Sequence, residues 1–186
     1  MLIETLPPHG LTVARLGDVP GPEHTAARTF CLAVIKEFYG FDYRPDWHGD
    51  LDSLEKPAAA SHFSTPNRGA FWTLRGPDGR LAATTAVKRL AWHPNVLEAL
   101  PGRYPRPETV ATLMRAYVRK DLRGAGIGRF LNVLCETEAR RLGYATLYLH
   151  ANSDTPATIA FWTARGYAPI GSFGVSTHFD KPLTPR

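Results

Sequence analysis

Residues 112–142 read TLMRAYV-RKDLRGAGIG-RFLNVLCETEARRL. The first block is apolar and strand-like, three glycines follow it at alternate positions, and the last block carries apolar residues at helical spacing. The segment therefore predicts a strand, a glycine turn and a helix N-terminus, in that order. Backbone N–H groups and the positive end of the helix dipole converge at such a turn, and glycine lets a ligand approach the backbone closely. The turn at 123–128 is thus predicted to bind a phosphate.

Two common phosphate-binding motifs do not fit this turn. A Rossmann dinucleotide site has its glycine turn near the front of the fold and an acidic residue about 20 residues later, at the end of the next strand. Here the turn lies two-thirds along the chain, and the next strand ends in His150. A P-loop has Lys-Ser/Thr after its last glycine, whereas this chain has Arg129-Phe130. At this point the phosphate ligand stays open.

Composition is that of a globular protein with a buried core. The 186 residues are 44% hydrophobic and 21% charged, which suits a single domain. No apolar run is long enough to span a membrane, and residues 1–10 lack the layout of a signal peptide. Cys31 and Cys135 lie on the apolar sides of helical patterns, which predicts buried free thiols in a reducing cytoplasm. We expect no metal, because no Cys/His cluster is present.

The chain is basic, with a formal net charge of +5. Between residues 103 and 141 there are nine Lys or Arg and four Asp or Glu, so much of the excess surrounds the glycine turn. Such a region suits a polyanionic small molecule or nucleic acid. Since no basic tract with interleaved aromatics occurs, we expect neither a nucleic acid nor a membrane as partner.

Periodicity and glycine or proline positions predict the remaining elements. Predicted strands are at 11–16, 70–74, 81–90, 109–118, 145–150, 167–170 and 176–181. Predicted helices are at 22–39, 127–142 and 156–165, with short helical pieces near 50–56 and 96–100. In the first helix, the spacing of four predicts that Ala26, Phe30, Val34 and Phe38 share the buried face. The order of elements indicates an α+β fold with a mixed sheet and not a doubly wound one.

The segment 112–167 resembles the GNAT superfamily of N-acetyltransferases. The family's phosphate motif, Arg/Gln-x-x-Gly-x-Gly/Ala, is matched by Arg123, Gly126 and Gly128, and its Leu-x-Arg-x-Tyr-Val strand by residues 113–118. The family's closing helix motif, Ala-x-x-Phe-Tyr-x-x-x-Gly-Phe, is similar to ATIAFWTARGY at 157–167. The resemblance covers residues 69–181 well and residues 11–68 in outline.

This resemblance implies a single domain, 1–186, with a mixed, mostly antiparallel twisted sheet. It implies six to seven strands flanked by about four helices, and central strands that splay apart. Residues 109–170 would form the acetyl-coenzyme A core and residues 11–68 the acceptor side. By family analogy, the cofactor-binding residues are Ala116, Tyr117, Val118, Arg123, Gly124, Ala125, Gly126, Ile127, Gly128, Arg129, Asn152 and Thr155.

The implied activity is acyl transfer from acetyl-coenzyme A to a primary amine, by direct attack in a ternary complex. The implied acceptor is a small molecule or a protein amine, and because many relatives are homodimers, the resemblance extends that expectation to this chain. One alternative is an acyl-coenzyme-A-binding protein without transferase activity; a second is a basic nucleic-acid-binding protein.

Catalytic groups are harder to assign. An amine of pKa about 10.4 is roughly 4–5 kcal/mol from its free base at pH 7, so a base or a desolvated site should help. Relatives often place a glutamate at the position of Thr112 and a tyrosine at that of Trp162, and neither residue here replaces them. Thr155 stands where many relatives have asparagine, and it is equally a helix N-cap candidate.

Candidate bases therefore come from elsewhere in the chain. They are Glu108, just before the central strand, His93 in the preceding loop, and His48, Asp42 and Asp46 in the irregular segment. Alternatively, catalysis rests on orientation of the amine, an oxyanion donor and a water relay. Tyr43, Trp47 and Trp72 are either walls of an acceptor pocket or core aromatics, and Tyr167 is interpreted as core.

Overall fold

The computed structural model describes residues 7–183, which contain seven strands and five α-helices. The strands are β1 Thr12–Arg15, β2 Ala70–Arg75, β3 Leu81–Arg89, β4 Val110–Val118, β5 Thr146–Asn152, β6 Ala168–Phe173 and β7 Ser176–Pro182. The helices are α1 Pro22–Tyr39, α2 Pro45–Asp52, α3 Pro94–Ala99, α4 Ile127–Arg141 and α5 Pro156–Thr163. Residues 1–6, on which part of the expectation about a signal peptide falls, lie outside the described residues.

Proline and glycine set the helix boundaries. A proline occupies the first position of α1, α2, α3 and α5, where its missing N–H costs no hydrogen bond and its fixed φ suits the first turn. Gly40 ends α1 in the left-handed conformation, with φ 72°. These local signals explain why the predicted helices and strands are confirmed to within a few residues. The exception is α2, which begins at Pro45, five residues before the predicted helical piece.

The predicted buried face of α1 is wrong in part. The apolar residues that α1 buries are Ala27, Cys31, Val34 and Ile35, whereas Phe38 is exposed. Four residues advance a helix by about 400°, so residues spaced strictly by four drift around the axis. Alternating steps of three and four keep to one side, as the buried set does.

A single seven-stranded sheet has the order β1-β2-β3-β4-β5-β7-β6. Every neighbouring pair is antiparallel except β4 and β5, which are parallel. The crossover between those two parallel strands contains α4. The predicted mixed, mostly antiparallel sheet is therefore confirmed.

Helices cover both faces of the sheet. On one face, Cys135 and Ala139 of α4 pack with Val87, Leu113 and Leu147 of the central strands. On the other face, α1 and α2 bury Cys31 and Leu51 against β2 and β3. Both cysteines are free and buried, as predicted.

Candidate active site

Strands β4 and β5 separate part-way along their length. They pair only where Val110–Thr112 lies beside Thr146–Tyr148. Beyond that point β4 continues to Val118 bonded to β3 alone, and β5 continues to Asn152 bonded to β7 alone. The predicted splay is confirmed, and it leaves two facing strand edges that can pair with an extended amide-bearing ligand.

The glycine loop lies directly after β4. Gly124 and Gly126 have φ of 83° and 82°, which L-residues with a side chain adopt only under strain, and Gly126 is the N-cap of α4. Within residues 7–183, the backbone amides of residues 124–128 donate to no other group of the chain. Because free amides and the helix N-terminus coincide here, the loop fits a pyrophosphate.

Helix α5 packs beside the glycine loop. A Cβ on Gly128 would lie 3.3 Å from the Phe161 ring, so any other residue there would require that ring to shift by a few tenths of an ångström. Thr155 is the N-cap residue of α5, but its side chain makes no capping hydrogen bond. The side-chain oxygen of Asn152 accepts a hydrogen bond from the amide of Asp154 at 2.8 Å. The structure thus brings Asn152 and Thr155 to the end of β5, across the gap from β4.

For the other predicted cofactor residues, the backbone is better placed than the side chain to contact a ligand. Arg123 turns back to donate to the Val118 carbonyl at 3.0 Å, and its guanidinium lies 5.5 Å from the Phe38 ring. Ile127 is buried in the core, while Arg129 is exposed in the first turn of α4.

A bulge distorts β4 beside the gap. The register with β3 shifts between Thr84 and Ala86, and Arg115 has φ 53°. Arg115 is paired through two hydrogen bonds with Asp50 of α2, one of them 2.9 Å from Nε to Oδ2. The Asp50 carboxylate is buried, which by itself would raise its pKa, but the Arg115 guanidinium outweighs burial and holds the pKa below its usual value. The ion pair therefore ties α2 to the bulge.

Three of the five predicted bases lie in different places, and the two aspartates are described below. Glu108 is exposed near the opposite end of β4 from the bulge and pairs with Arg106 at 3.3 Å. His48 is buried, and its Nδ1 accepts a hydrogen bond from the Arg44 amide at 2.9 Å, which is a structural role. His93 alone reaches the gap: its ring centroid is 6.0 Å from that of His150 on β5.

Three residues that the sequence analysis did not propose meet at the gap. The Tyr148 hydroxyl is 2.6 Å from Nδ1 of His178 and 3.4 Å from Nδ1 of His150. A phenol has one proton, and the shorter contact assigns it to His178. His150 then donates its own Nδ1 proton to the Tyr148 oxygen, which leaves Nε2 with a lone pair. The alternation of Tyr148 and His150 along a strand was the available signal, since it places both on one face.

Burial keeps these groups neutral. It lowers the pKa of His150 to about 4, with His178 and Arg115 adding to the effect, and it raises the pKa of Tyr148. The His150 ring is nevertheless accessible to solvent, as a side chain in the wall of a cleft is. Burial also lowers the pKa of His93, to about 3, helped by the nearby Lys88. The cleft thus presents neutral imidazoles at neutral pH.

The three aromatic residues considered as walls of an acceptor pocket lie in different environments. Tyr43 and Trp47 are exposed, and the Arg44 guanidinium stacks on Trp47 at 4.4 Å. Trp72 instead belongs to the core on the α4 face. Asp42 pairs with Lys36 at 2.7 Å, and Asp46 is exposed in the first turn of α2.

The two unusual positions are buried. Trp162 is packed edge-on against Tyr167, and the Tyr167 hydroxyl donates to Asn132 at 2.8 Å, so the interpretation of Tyr167 as core is confirmed. Thr112 is fully buried, and its Oγ1 has no hydrogen-bond partner among the described residues. Neither Trp162 nor Tyr167 is placed to serve as a proton donor.

Residues 7–183 also lack two other kinds of feature, a metal-binding cluster and a membrane-spanning helix. No group of three or more His, Cys, Asp or Glu residues is arranged to hold a metal ion. None of the helices combines the length and the apolarity that crossing a membrane requires.

Comparison with known proteins shows which family has these features. A family model described as "Acetyltransferase (GNAT) family" matches residues 32–167. The chain belongs to this family. The GNAT resemblance is thereby confirmed, and the protein is an acyltransferase whose donor is an acyl-coenzyme A.

Solved structures agree in fold. An acetyltransferase from Streptococcus agalactiae superposes with a TM-score of 0.69 at 15% identity, over 94% of this chain and 99% of that one. PaiA N-acetyltransferase from Thermoplasma acidophilum, in complex with coenzyme A, gives a TM-score of 0.63 at 13% identity, over 92% and 98%. At such identities the likeness of this GNAT protein to them is one of fold.

One curated relative is similar in sequence over a short segment. Mycothiol acetyltransferase from Jonesia denitrificans is 36% identical over 53 residues, which is 28% of this chain and 17% of that protein. The chain therefore matches less than a fifth of that relative's length.

Proposed function

We propose that this GNAT protein transfers an acetyl group from acetyl-coenzyme A to a primary amine within a ternary complex, with His150 as the general base. The observation that carries the assignment is the Tyr148 hydroxyl held between His150 and His178, where β4 and β5 part. The free amides of 124–128 would hold the pyrophosphate, and the edges of β4 and β5 would bond the pantetheine arm. Acetyl-coenzyme A would supply the acetyl group as a thioester: the amine nitrogen would bond to its carbonyl carbon, the C–S bond would break, and coenzyme A would leave as a thiolate that takes up one proton for the one that the amine releases to His150.

His150 is suited to accept a proton during that attack. Its Nε2 is unprotonated in the network described above, and burial keeps the ring neutral well below pH 7. The amine proton becomes acidic as the N–C bond forms, so even a weak base can receive it at that moment. Tyr148 orients the ring and, through His178, offers a path along which the proton can leave.

The same geometry supports a division of the chain into two regions. Residues 109–170 supply the strand edges and the glycine loop, and residues 11–68 supply α1, α2 and the aromatic wall. We propose that these are the donor and acceptor sides of a single domain. The buried free thiols support a reducing cytoplasm, and a homodimer stays a prediction.

The test compares His150→Gln with wild type in an assay of thiol release from acetyl-coenzyme A over a panel of amines. We expect kcat to fall about 10²–10⁴-fold, the usual contribution of a general base, while calorimetry shows unchanged coenzyme A affinity. Glu108→Gln is the matched control, because its carboxylate lies at the far end of β4. An equal loss of kcat in both variants would show that His150 is not the general base.

The alternative, acyl-coenzyme A binding without transfer, has its own outcome. It would be favoured if coenzyme A binds with a measurable enthalpy and no amine in the panel releases thiol.

A further inference from the structure

The segment before β1 lies against the glycine loop. Residues 7–11 turn at His9 and Gly10, whose φ values are 60° and 66°. A left-handed φ is uncommon for a residue that carries a side chain. The turn brings the ring of the exposed His9 to the loop, where Nε2 lies 2.7 Å from the carbonyl oxygen of Ala125. The two residues are 116 positions apart in the sequence, so the contact is a product of the fold.

Packing holds this segment in place. Leu11 is 5% exposed and belongs to the same apolar cluster as Ile127 and Leu131 in the first turns of α4. The Leu11 amide also donates a hydrogen bond to the Pro8 carbonyl at 3.3 Å, which closes the turn around His9. Because Leu11 is fixed against α4, the His9 ring is held near the loop at a lower cost in conformational entropy than a free segment would have.

The hydrogen bond from His9 fixes the orientation of one peptide unit in the loop. A carbonyl oxygen only accepts hydrogen bonds, so Nε2 of His9 is the donor. The Ala125 carbonyl shares its peptide unit with the Gly126 amide, and the two groups of a trans peptide point in opposite directions. With the carbonyl directed at His9, the Gly126 N–H points away from residues 7–11, and within residues 7–183 it donates to no other group.

Glycine would otherwise let this peptide unit rotate. Gly126 has φ 82°, and glycine adopts positive and negative φ about equally readily. After half a turn, the unit would present the Ala125 carbonyl, which carries partial negative charge, on the side where the N–H had been. A carbonyl in that place would repel an anion. The hydrogen bond from His9 opposes this rotation.

We propose that His9 is a positioning residue for the acyl donor: it holds the Ala125 carbonyl away from the ligand, so that the Gly126 amide faces the pyrophosphate of the acyl-coenzyme A. This inference rests on the proposed function for the place of the pyrophosphate. His9 acts through the loop and not on the reacting atoms, so its effect falls on the affinity for the donor and not on acetyl transfer.

The test compares His9→Ala and His9→Gln with wild type, by calorimetry of coenzyme A binding and by KM for acetyl-coenzyme A. A hydrogen bond between neutral groups contributes about 3- to 10-fold to an equilibrium constant, so both Kd and KM should rise by about that factor in His9→Ala while kcat stays unchanged. His9→Gln keeps an N–H donor near the position of Nε2 and should restore most of the affinity. Unchanged Kd in His9→Ala, or an equal rise in both variants, would overturn the proposal.

Two partial ligands separate the positioning of the loop from general damage to the protein. Pantetheine lacks the pyrophosphate, so its Kd should be the same in wild type and His9→Ala. Inorganic pyrophosphate, used as a competitor of coenzyme A, should lose affinity in His9→Ala by the same factor as coenzyme A does. An equal rise in Kd for pantetheine would show that His9 has a merely structural role and would overturn the proposal.

The two proposals fail separately, because calorimetry needs no acceptor. Coenzyme A binding that depends on the His9 donor, without thiol release from any amine, would reject acetyl transfer and keep the role of His9. Thiol release that depends on His150, with the same coenzyme A affinity in wild type and His9→Ala, would do the reverse.

Discussion

Removing the buried ion pair between Asp50 and Arg115 should destabilise the protein strongly. The side chains are 6% and 10% exposed, and one of their hydrogen bonds is 2.9 Å long. At that separation and an effective dielectric constant of about 20, their attraction is about 6 kcal/mol, which offsets the cost of burying both charges. Removing one partner leaves the other charge buried alone, so Asp50→Asn and Arg115→Met should each lose about 3–5 kcal/mol of unfolding free energy.

The assay is a double-mutant cycle by urea unfolding at pH 7. Because the second substitution removes a charge that the first has already stranded, the double variant should lose at least 2 kcal/mol less than the sum of the single losses. The matched control is the pair of Glu23 and Arg75, whose side chains are 36% and 35% exposed, and where Glu23→Gln should cost about 1 kcal/mol or less. Additive losses, or single losses as small as the control's, would refute the reasoning.

Two other predictions concern the loop and the response to pH. Gly128→Val should abolish coenzyme A binding in calorimetry, because the valine side chain meets the Phe161 ring and forces the start of α4 away from α5. The control, Arg129→Gln, should only weaken that binding. Normal coenzyme A affinity in Gly128→Val would contradict the prediction. The pKa values of His93 and His150 are lowered, to about 3 and about 4, so the unfolded chain binds more protons than the folded one below pH 6.5, and stability should fall as pH falls from 6.5 to 4. The double substitution of both histidines by glutamine should flatten that part of a plot of melting temperature against pH, and an unchanged slope would show that other groups are responsible.

Local signals made the donor side predictable. The glycines at 124 and 126 have positive φ, which few other residues adopt, and apolar periodicity marks the strand before them and the helix after them. These features lie within about 30 consecutive residues, so the sequence order is nearly the spatial order. The loop and the strand could therefore be recognised without knowing the rest of the fold.

The side-chain contacts around the gap depend on parts of the chain that are distant in sequence. Tyr148 meets His178 only because β7 pairs antiparallel with β5, and Asp50 meets Arg115 only because α2 lies over the bulge. No spacing in the sequence encodes either contact. The error in the buried face of α1 has a similar origin: Phe38 looked like a core residue, but it lies on the surface beneath the Arg123 guanidinium.

The gap between β4 and β5 has a consequence for the stability of the protein itself. A sheet interrupted at its centre lacks the hydrogen bonds that would otherwise join its two halves beyond Thr112. A donor molecule bonded to both edges would act as an eighth strand, and a ligand present at 100 times its Kd stabilises the folded state by about 2.7 kcal/mol. Amide hydrogen exchange at 113–118 and 149–152 should then slow when coenzyme A is added. The free energy of unfolding would therefore rise with the concentration of the protein's own substrate.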